Sequence, residues 1–125
     1  MEFKTNEAIY IQIANFICDG ILTGKWRSDD RIASVRELAV DLQVNPNTAM
    51  RSYEYLQNKE IIYNKRGIGF FVSADAESKI IAERRQTFLK DDLPSLFRTL
   101  DLLNISVEEM LNEYQKFKQD ENEGK

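Results

Sequence analysis

The sequence predicts a mainly α-helical protein carrying one small β-hairpin, organised as two parts, residues 1–74 and residues 75–125. Three observations predict it. Apolar residues recur at helical spacing along most of the chain. Two of these helical stretches are short, marked by capping residues, and separated by a minimal break. Just after them, two β-branched and aromatic runs flank a turn that contains a glycine.

The first helix is expected over residues 7–23, because Ile9, Ile13, Phe16, Ile17 and Ile21 share one face of a 3.6-residue period. Gly24 follows as a C-terminal stop, since a glycine takes the left-handed conformation that ends helices. Residues Lys25 to Asp30 form a polar connection, anchored on the core by Trp26. Cys18, the single cysteine, falls inside the first helix and reads as a small buried or half-buried residue.

The pair of short helices spans SVRELAVDLQVNPNTAMRSYEYL, Ser34 to Leu56. Ser34 followed by Glu37 is a capping box, in which hydroxyl and carboxylate each satisfy a backbone N–H of the first turn. Val35, Leu38, Ala39 and Leu42 then carry the helix to about residue 43, and apolar Val44 plugs the turn. Asn45 is a favoured N-cap and Pro46 suits the first helical position, where a missing N–H costs nothing. Ala49, Tyr53 and Leu56 give the second helix, residues 46–59, its buried stripe with Met50 at the edge. Asn47, Thr48 and Arg51 stay near its exposed N-terminal end. That is the layout of a helix-turn-helix, whose second helix presents N-terminal residues to base edges in the major groove. Asparagine can pair with adenine, arginine can grip guanine or phosphate, and threonine can serve either. The same residues also suit a well-capped helix start in an ordinary bundle.

Ile61–Asn64 and Ile68–Val72 make the hairpin, with Lys65, Arg66 and Gly67 at its tip. Directly after a helix-turn-helix, such a hairpin is a wing, so the fold class is a winged helix-turn-helix domain plus a C-terminal helical extension. A basic tip can meet phosphates or the minor groove, and Gly67 allows close backbone approach. Solvated turn residues that blunt a strand edge are the competing reading. From Ala74 a connecting helix follows, with Ile80, Ile81, Phe88 and Leu89 its large apolar residues. Leu93, Leu96, Phe97, Leu100 and Leu103 mark a further helix. Ser106 and Glu109 form a second capping box, before a stripe of Val107, Met110, Leu111, Tyr114 and Phe117. The closing KQDENEGK is polar and reads as frayed. Such short amphipathic helices must pack on the core or on a second copy of the chain, and the second makes residues 75–125 a dimerisation part.

Composition narrows the function. The chain has no histidine and one cysteine, which removes the commonest general base and any ordinary zinc ligand set. No activated nucleophile or phosphate-cradling loop is visible, so the chain reads as a non-enzyme without cofactor or metal. No stretch approaches the roughly eighteen apolar residues of a membrane span, and the start MEFKTNEAIY lacks a signal-peptide pattern. A lone cysteine fits a reducing cytoplasm. The net charge of −4 is awkward for a nucleic-acid partner, yet residues 1–74 carry nine basic and nine acidic side chains, whereas residues 75–125 carry eight and twelve. The acidity belongs to the C-terminal part, and over 31–67 basic residues outnumber acidic ones six to four.

The stretches IYIQIANFICDGILTGKW and RIASVRELAVDLQVNPNTAMRSYEYLQNKEIIYNKRGIGFFV resemble the DNA-binding domain of GntR-family bacterial transcription regulators. The likeness runs over about residues 8–73 and rests on SVRELA, VNPNT and the glycine-bearing wing that ends in FFV. The VNPNT variant and the short helical C-terminal part look most like the YtrA-type branch. The resemblance implies a homodimeric repressor on an inverted-repeat operator of double-stranded DNA, with the C-terminal helices as its dimerisation unit. It places Arg36 on the DNA backbone or a base edge, Asn47, Thr48 and Arg51 on the recognition helix, and Lys65, Arg66 and Gly67 in the wing. With the two caps Ser34 and Asn45, these are the residues assigned to DNA.

This chain departs from the family pattern in three places. Many members have Leu-Pro where Ile32-Ala33 stands, and arginine where Pro46 and Met50 stand. Base preferences therefore do not carry over. A winged-helix protein-interaction module with little DNA affinity is the alternative, supported by the acidic net charge and the apolar C-terminal stripes. A small-molecule effector is left open; a crevice near Phe88, Leu96, Phe97 and Tyr114 would be its place, with core packing the plainer role for those side chains.

Overall fold

A computed structural model describes residues 7–124. The polar start MEFKTN, on which part of the signal-peptide reading rests, and Lys125 lie outside the described residues. The chain forms two compact units that divide between Glu83 and Arg84. No helix among the described residues is long and apolar enough to cross a membrane.

The N-terminal unit is built on α1 (Ile9–Leu22), α2 (Val35–Leu42) and α3 (Pro46–Asn58). Ile13, Ile17 and Ile21 of α1 are buried as the periodicity predicts, while Ile9 at its first turn is exposed. They meet Leu38, Tyr53, Leu56, Ile61, Ile62 and Val72 in one core. The start of α4 (Ala76–Thr87) adds Ala76 and Ile80 to the same core. Trp26 packs on it too, with its ring against the backbone of Gly20, where an added Cβ would lie 2.5 Å from a ring carbon. That close approach is why a glycine stands inside α1 despite its cost of about 1 kcal/mol to a helix.

Helices α1, α2 and α3 end in one manner. After α1, the Lys25 N–H donates to the Gly20 carbonyl at 2.8 Å and the Gly24 N–H to that of Ile21. After α2, Val44 bonds Ala39 and Gln43 bonds Val40; after α3, Ile61 bonds Leu56 and Glu60 bonds Gln57. These are Schellman closures, each with a left-handed residue: Gly24, Gln43 and Glu60, the last two at φ 55° and 60°. Val44 is apolar because the residue after the left-handed position packs back on its helix.

Strands β1 (Ile62–Lys65) and β2 (Gly69–Val72) pair antiparallel, Ile62 with Val72 and Lys65 with Gly69. Their inner face carries buried Ile62 and Val72, and Phe70 sits edge-on to Tyr53 at 5.0 Å. The polar connection before α2 does more than link. The Asp29 N–H donates to the Val72 carbonyl, Ile32 to that of Phe70, and Val72 to that of Asp30, so Arg31 bridges Phe71 along the free edge of β2.

In the C-terminal unit, α4 gives way at Phe88–Asp92 to one π-helical turn, followed by α5 (Leu93–Leu102) and α6 (Val107–Glu123). A wider turn accommodates Pro94, which has no N–H to donate and would crowd the carbonyl four residues back. Asn104, at φ 58°, and Ile105 close α5 with the same Schellman pattern. The Ser106 hydroxyl accepts from the Glu109 N–H at 3.0 Å, the serine half of the expected box. Helix α6 stays regular to Glu123, so the polar end is helical where the sequence reads as frayed. Of this unit's described residues Leu100 alone is buried.

Candidate nucleic-acid interface

The capping box at the head of α2 is complete. The Glu37 N–H donates to the Ser34 hydroxyl at 3.0 Å, and the Ser34 N–H donates to the Glu37 carboxylate at 3.1 Å. The backbone and hydroxyl bonds from Ser34 hold the Glu37 carboxyl below its ordinary pKa, and the Arg31 charge lowers it further. Ser34 itself is half-buried. Arg36, the second residue of α2, is exposed; with Ser34, Glu37, Val40 and Asp41 it lines one surface depression.

Helix α3 is set by Asn45, whose side-chain oxygen accepts from the Asn47 N–H at 2.8 Å, and by Pro46 in the first turn. Asn45, Asn47 and Arg51 are exposed, and Thr48 is half-buried. Two buried polar groups fix the orientation of α3. The Ser52 hydroxyl donates to the Tyr10 carbonyl of α1 at 2.7 Å, and the Tyr53 hydroxyl donates to the Ala33 carbonyl ahead of α2. Burial, and then the nearby Glu37 charge, push the Tyr53 phenol well above its usual pKa, so it remains a neutral donor. The packing thus turns Ala49, Ser52, Tyr53 and Leu56 inward, and leaves Asn47, Met50, Arg51 and Glu54 outward.

Arg51, though exposed, leans on an aromatic ring. Its guanidinium lies 4.0 Å from the centre of the Tyr10 ring, and Tyr10 in turn meets Tyr55 edge-on at 5.9 Å. The wing treats Lys65 similarly. On the outer face Tyr63 and Phe71 stack at 5.7 Å, and the Lys65 ammonium lies 4.5 Å from the Phe71 ring centre. Arg66 and Gly67 form the exposed tip. The Ile68 N–H closes the turn on the Lys65 carbonyl at 2.9 Å, and Gly67 has φ 79°, the value required at the third position of a type II turn.

One basic residue outside the sequence-assigned set joins this surface. The Arg31 guanidinium lies against Gly69, where an added Cβ would sit 2.8 Å from Nε, and its charge reaches Glu37. It therefore stands between the head of α2 and the base of the wing. Its position follows from the pairing of residues 29–32 with β2, which polar Ser28, Asp29 and Asp30 conceal in the sequence. Tyr63 fastens that segment, donating its hydroxyl to the Asp29 carboxylate at 3.0 Å.

Residues 9–72, from α1 to β2, match the family described as bacterial regulatory proteins, gntR family. The chain is 31% identical over 116 residues to the HTH-type transcriptional regulator YhcF of Bacillus subtilis, covering 93% of this chain and 94% of that protein. It is 30% identical over 107 residues to the HTH-type transcriptional repressor YtrA of the same organism, covering 86% and 82%. Among solved structures, a GntR-family transcriptional regulator from Bacteroides thetaiotaomicron superposes with a TM-score of 0.77 at 53% identity, over 91% of this chain and 99% of that one. The DNA-binding domain of AraR in complex with operator ORR3 superposes at 0.53 with 25% identity, over 58% of this chain and 88% of that one. Those relatives are transcription regulators rather than enzymes. The chain belongs to the GntR family of DNA-binding transcription regulators, and its N-terminal unit is their winged helix-turn-helix.

Proposed function

We propose that this regulator is a cytoplasmic homodimeric repressor that binds an inverted-repeat operator, with α3 in the major groove and the β1–β2 wing at the adjoining minor groove. Ser34, Arg36, Asn45, Asn47, Thr48, Arg51, Lys65, Arg66 and Gly67 are its contact set, and Arg31 joins them at the wing base. The caps Ser34 and Asn45 serve by shaping the first turns that approach the phosphates.

The observation that carries the dimer is the C-terminal unit. Phe88, Phe97, Leu103, Leu111, Tyr114 and Phe117 are all between 45% and 60% exposed. So many large apolar side chains left exposed in one small unit mark an interaction surface, and a second copy of the same helices is the self-complementary way to cover it. Two copies then present two recognition helices to two half-sites, about one helical turn of DNA apart. The repressor reading is supported by the likeness to YtrA of Bacillus subtilis.

The test is a fluorescence-anisotropy titration with the DNA upstream of the chain's own gene, at two salt concentrations, beside scrambled DNA. The expected outcome is saturable binding that prefers the native sequence at least about tenfold and weakens steeply with salt. Arg36→Ala and Arg51→Ala are each expected to weaken it by about 1–3 kcal/mol. Unchanged affinity in both variants at fixed salt removes these arginines from the interface. No binding to any duplex, including a random-site pool, transfers the assignment to a protein-interaction module.

A further inference from the structure

Met50 stands on the outward face of α3. It is 40% exposed, and among the described residues it is the one large exposed apolar side chain in α3. It stands outside the core and outside the partly buried residues packed against that core. Its neighbours on the outward face, Asn47, Arg51 and Glu54, are all exposed and polar.

The two edges of α3 are occupied differently. On the α1 side, Arg51 is laid over Tyr10 and Tyr55 meets the same ring. The other edge borders buried Tyr53, whose hydroxyl reaches the Ala33 carbonyl before α2. Met50 lies one turn ahead of Tyr53 and one turn beyond Asn47, on that second edge and in the half of the helix that faces base edges.

Chemistry narrows what such a side chain can read. A thioether is at most a weak acceptor, so placing it against a donor or acceptor edge would leave a base group without its partner. The one apolar feature in the major groove is the C5-methyl of thymine. An unbranched, polarisable side chain adapts readily to a methyl group at a fixed position. We propose that Met50 is a specificity-determining residue whose side chain packs on a thymine methyl in each operator half-site. The proposal rests on the DNA-binding reading above and adds to it the identity of one base.

The experiment uses the full chain and a preferred duplex obtained by random-site selection. Each thymine of one half-site is replaced in turn by deoxyuridine, which keeps every hydrogen-bonding atom and lacks only the methyl. The expected result is one position where the replacement weakens wild-type binding about fourfold, the worth of one methyl group taken out of water. In Met50→Ala that sensitivity should vanish at the same position, while salt-dependent binding to unrelated DNA stays at the wild-type level. Equal response to every replacement, or a sensitivity that persists in Met50→Ala, overturns the proposal and leaves the DNA-binding reading intact. Failure of the selection to yield any bound duplex overturns both.

Discussion

At the head of α2, one hydroxyl and one carboxylate satisfy two backbone donors, and the arrangement has a signature in pH. The Glu37 carboxyl is held below its unfolded pKa chiefly by its bonds with Ser34. A depressed carboxylate contributes stability above the unfolded value, and that contribution is lost as pH falls through the folded one. Thermal unfolding from neutral pH down to pH 3 should therefore show an acid loss that Glu37→Gln reduces, since glutamine keeps the box without titrating. An identical pH profile in the variant would show that the loss arises elsewhere. Ser34, Glu37, Asn45 and Pro46 were legible because caps depend on local spacing. Ser52 was not: a serine inside an apolar stripe gives no hint that a carbonyl of α1 waits for it. Nor was the stacking of Arg51 on Tyr10, because residues forty-one apart in sequence share no local pattern.

Among the elements, the turn between α2 and α3 carries strain. Gln43 occupies the left-handed region at φ 55°, a conformation costing an L-residue with a Cβ roughly 1–2 kcal/mol. Gln43→Gly should raise unfolding stability by about 0.5–1 kcal/mol, once the greater freedom of glycine in the unfolded chain is subtracted. Urea titration checks this as a shifted midpoint at constant slope; an unchanged or lower midpoint refutes it. The three helices of the helix-turn-helix core and the wing were readable from period and caps to within a residue or two, whereas the helical end of α6 was not, because its polar residues carry no apolar stripe. The bridge of Arg31 to Phe71 was hidden, because Ser28-Asp29-Asp30 has the composition of a loop and its pairing is decided by β2, some forty residues later. Arg31 was hidden with it. The π-helical turn was equally silent, since Pro94 announces a disturbance but not which one.

For the whole molecule, the contrast between the two units matters most. The N-terminal unit buries its apolar stripes; the C-terminal unit shows Leu111, Tyr114 and Phe117 at more than half exposure. Sedimentation at micromolar concentration should give a dimer, and the pair Leu111→Asp with Phe117→Asp a monomer. That monomer should keep its far-UV helical signal and its weak affinity for a single half-site, yet lose the tight binding of the full repeat. A variant that stays dimeric, or a wild type that is monomeric, would place the contact elsewhere. The sequence showed the stripes without saying what covers them, because one helical period serves a fold-back and a second copy equally well. The net charge of the chain likewise says little here. The acidic excess lies in residues 75–125, and the groups assigned to DNA are placed by α2, α3 and the wing.

The repeated helix closures bear on which parts of the molecule move together. Lys25, Val44, Ile61 and Ile105 each donate an amide back across the end of the preceding helix. A link closed in this way cannot loosen until the last turn of its helix does. The four amides should exchange with solvent deuterium at the rate of the helix interiors behind them rather than at loop rates. Nuclear magnetic resonance would read this residue by residue, and fast exchange at Val44 would mean that the turn breathes on its own. Slow exchange there would mean that α2 and α3 reach the groove as one stiff body, so that flexibility in the encounter is left to the wing tip.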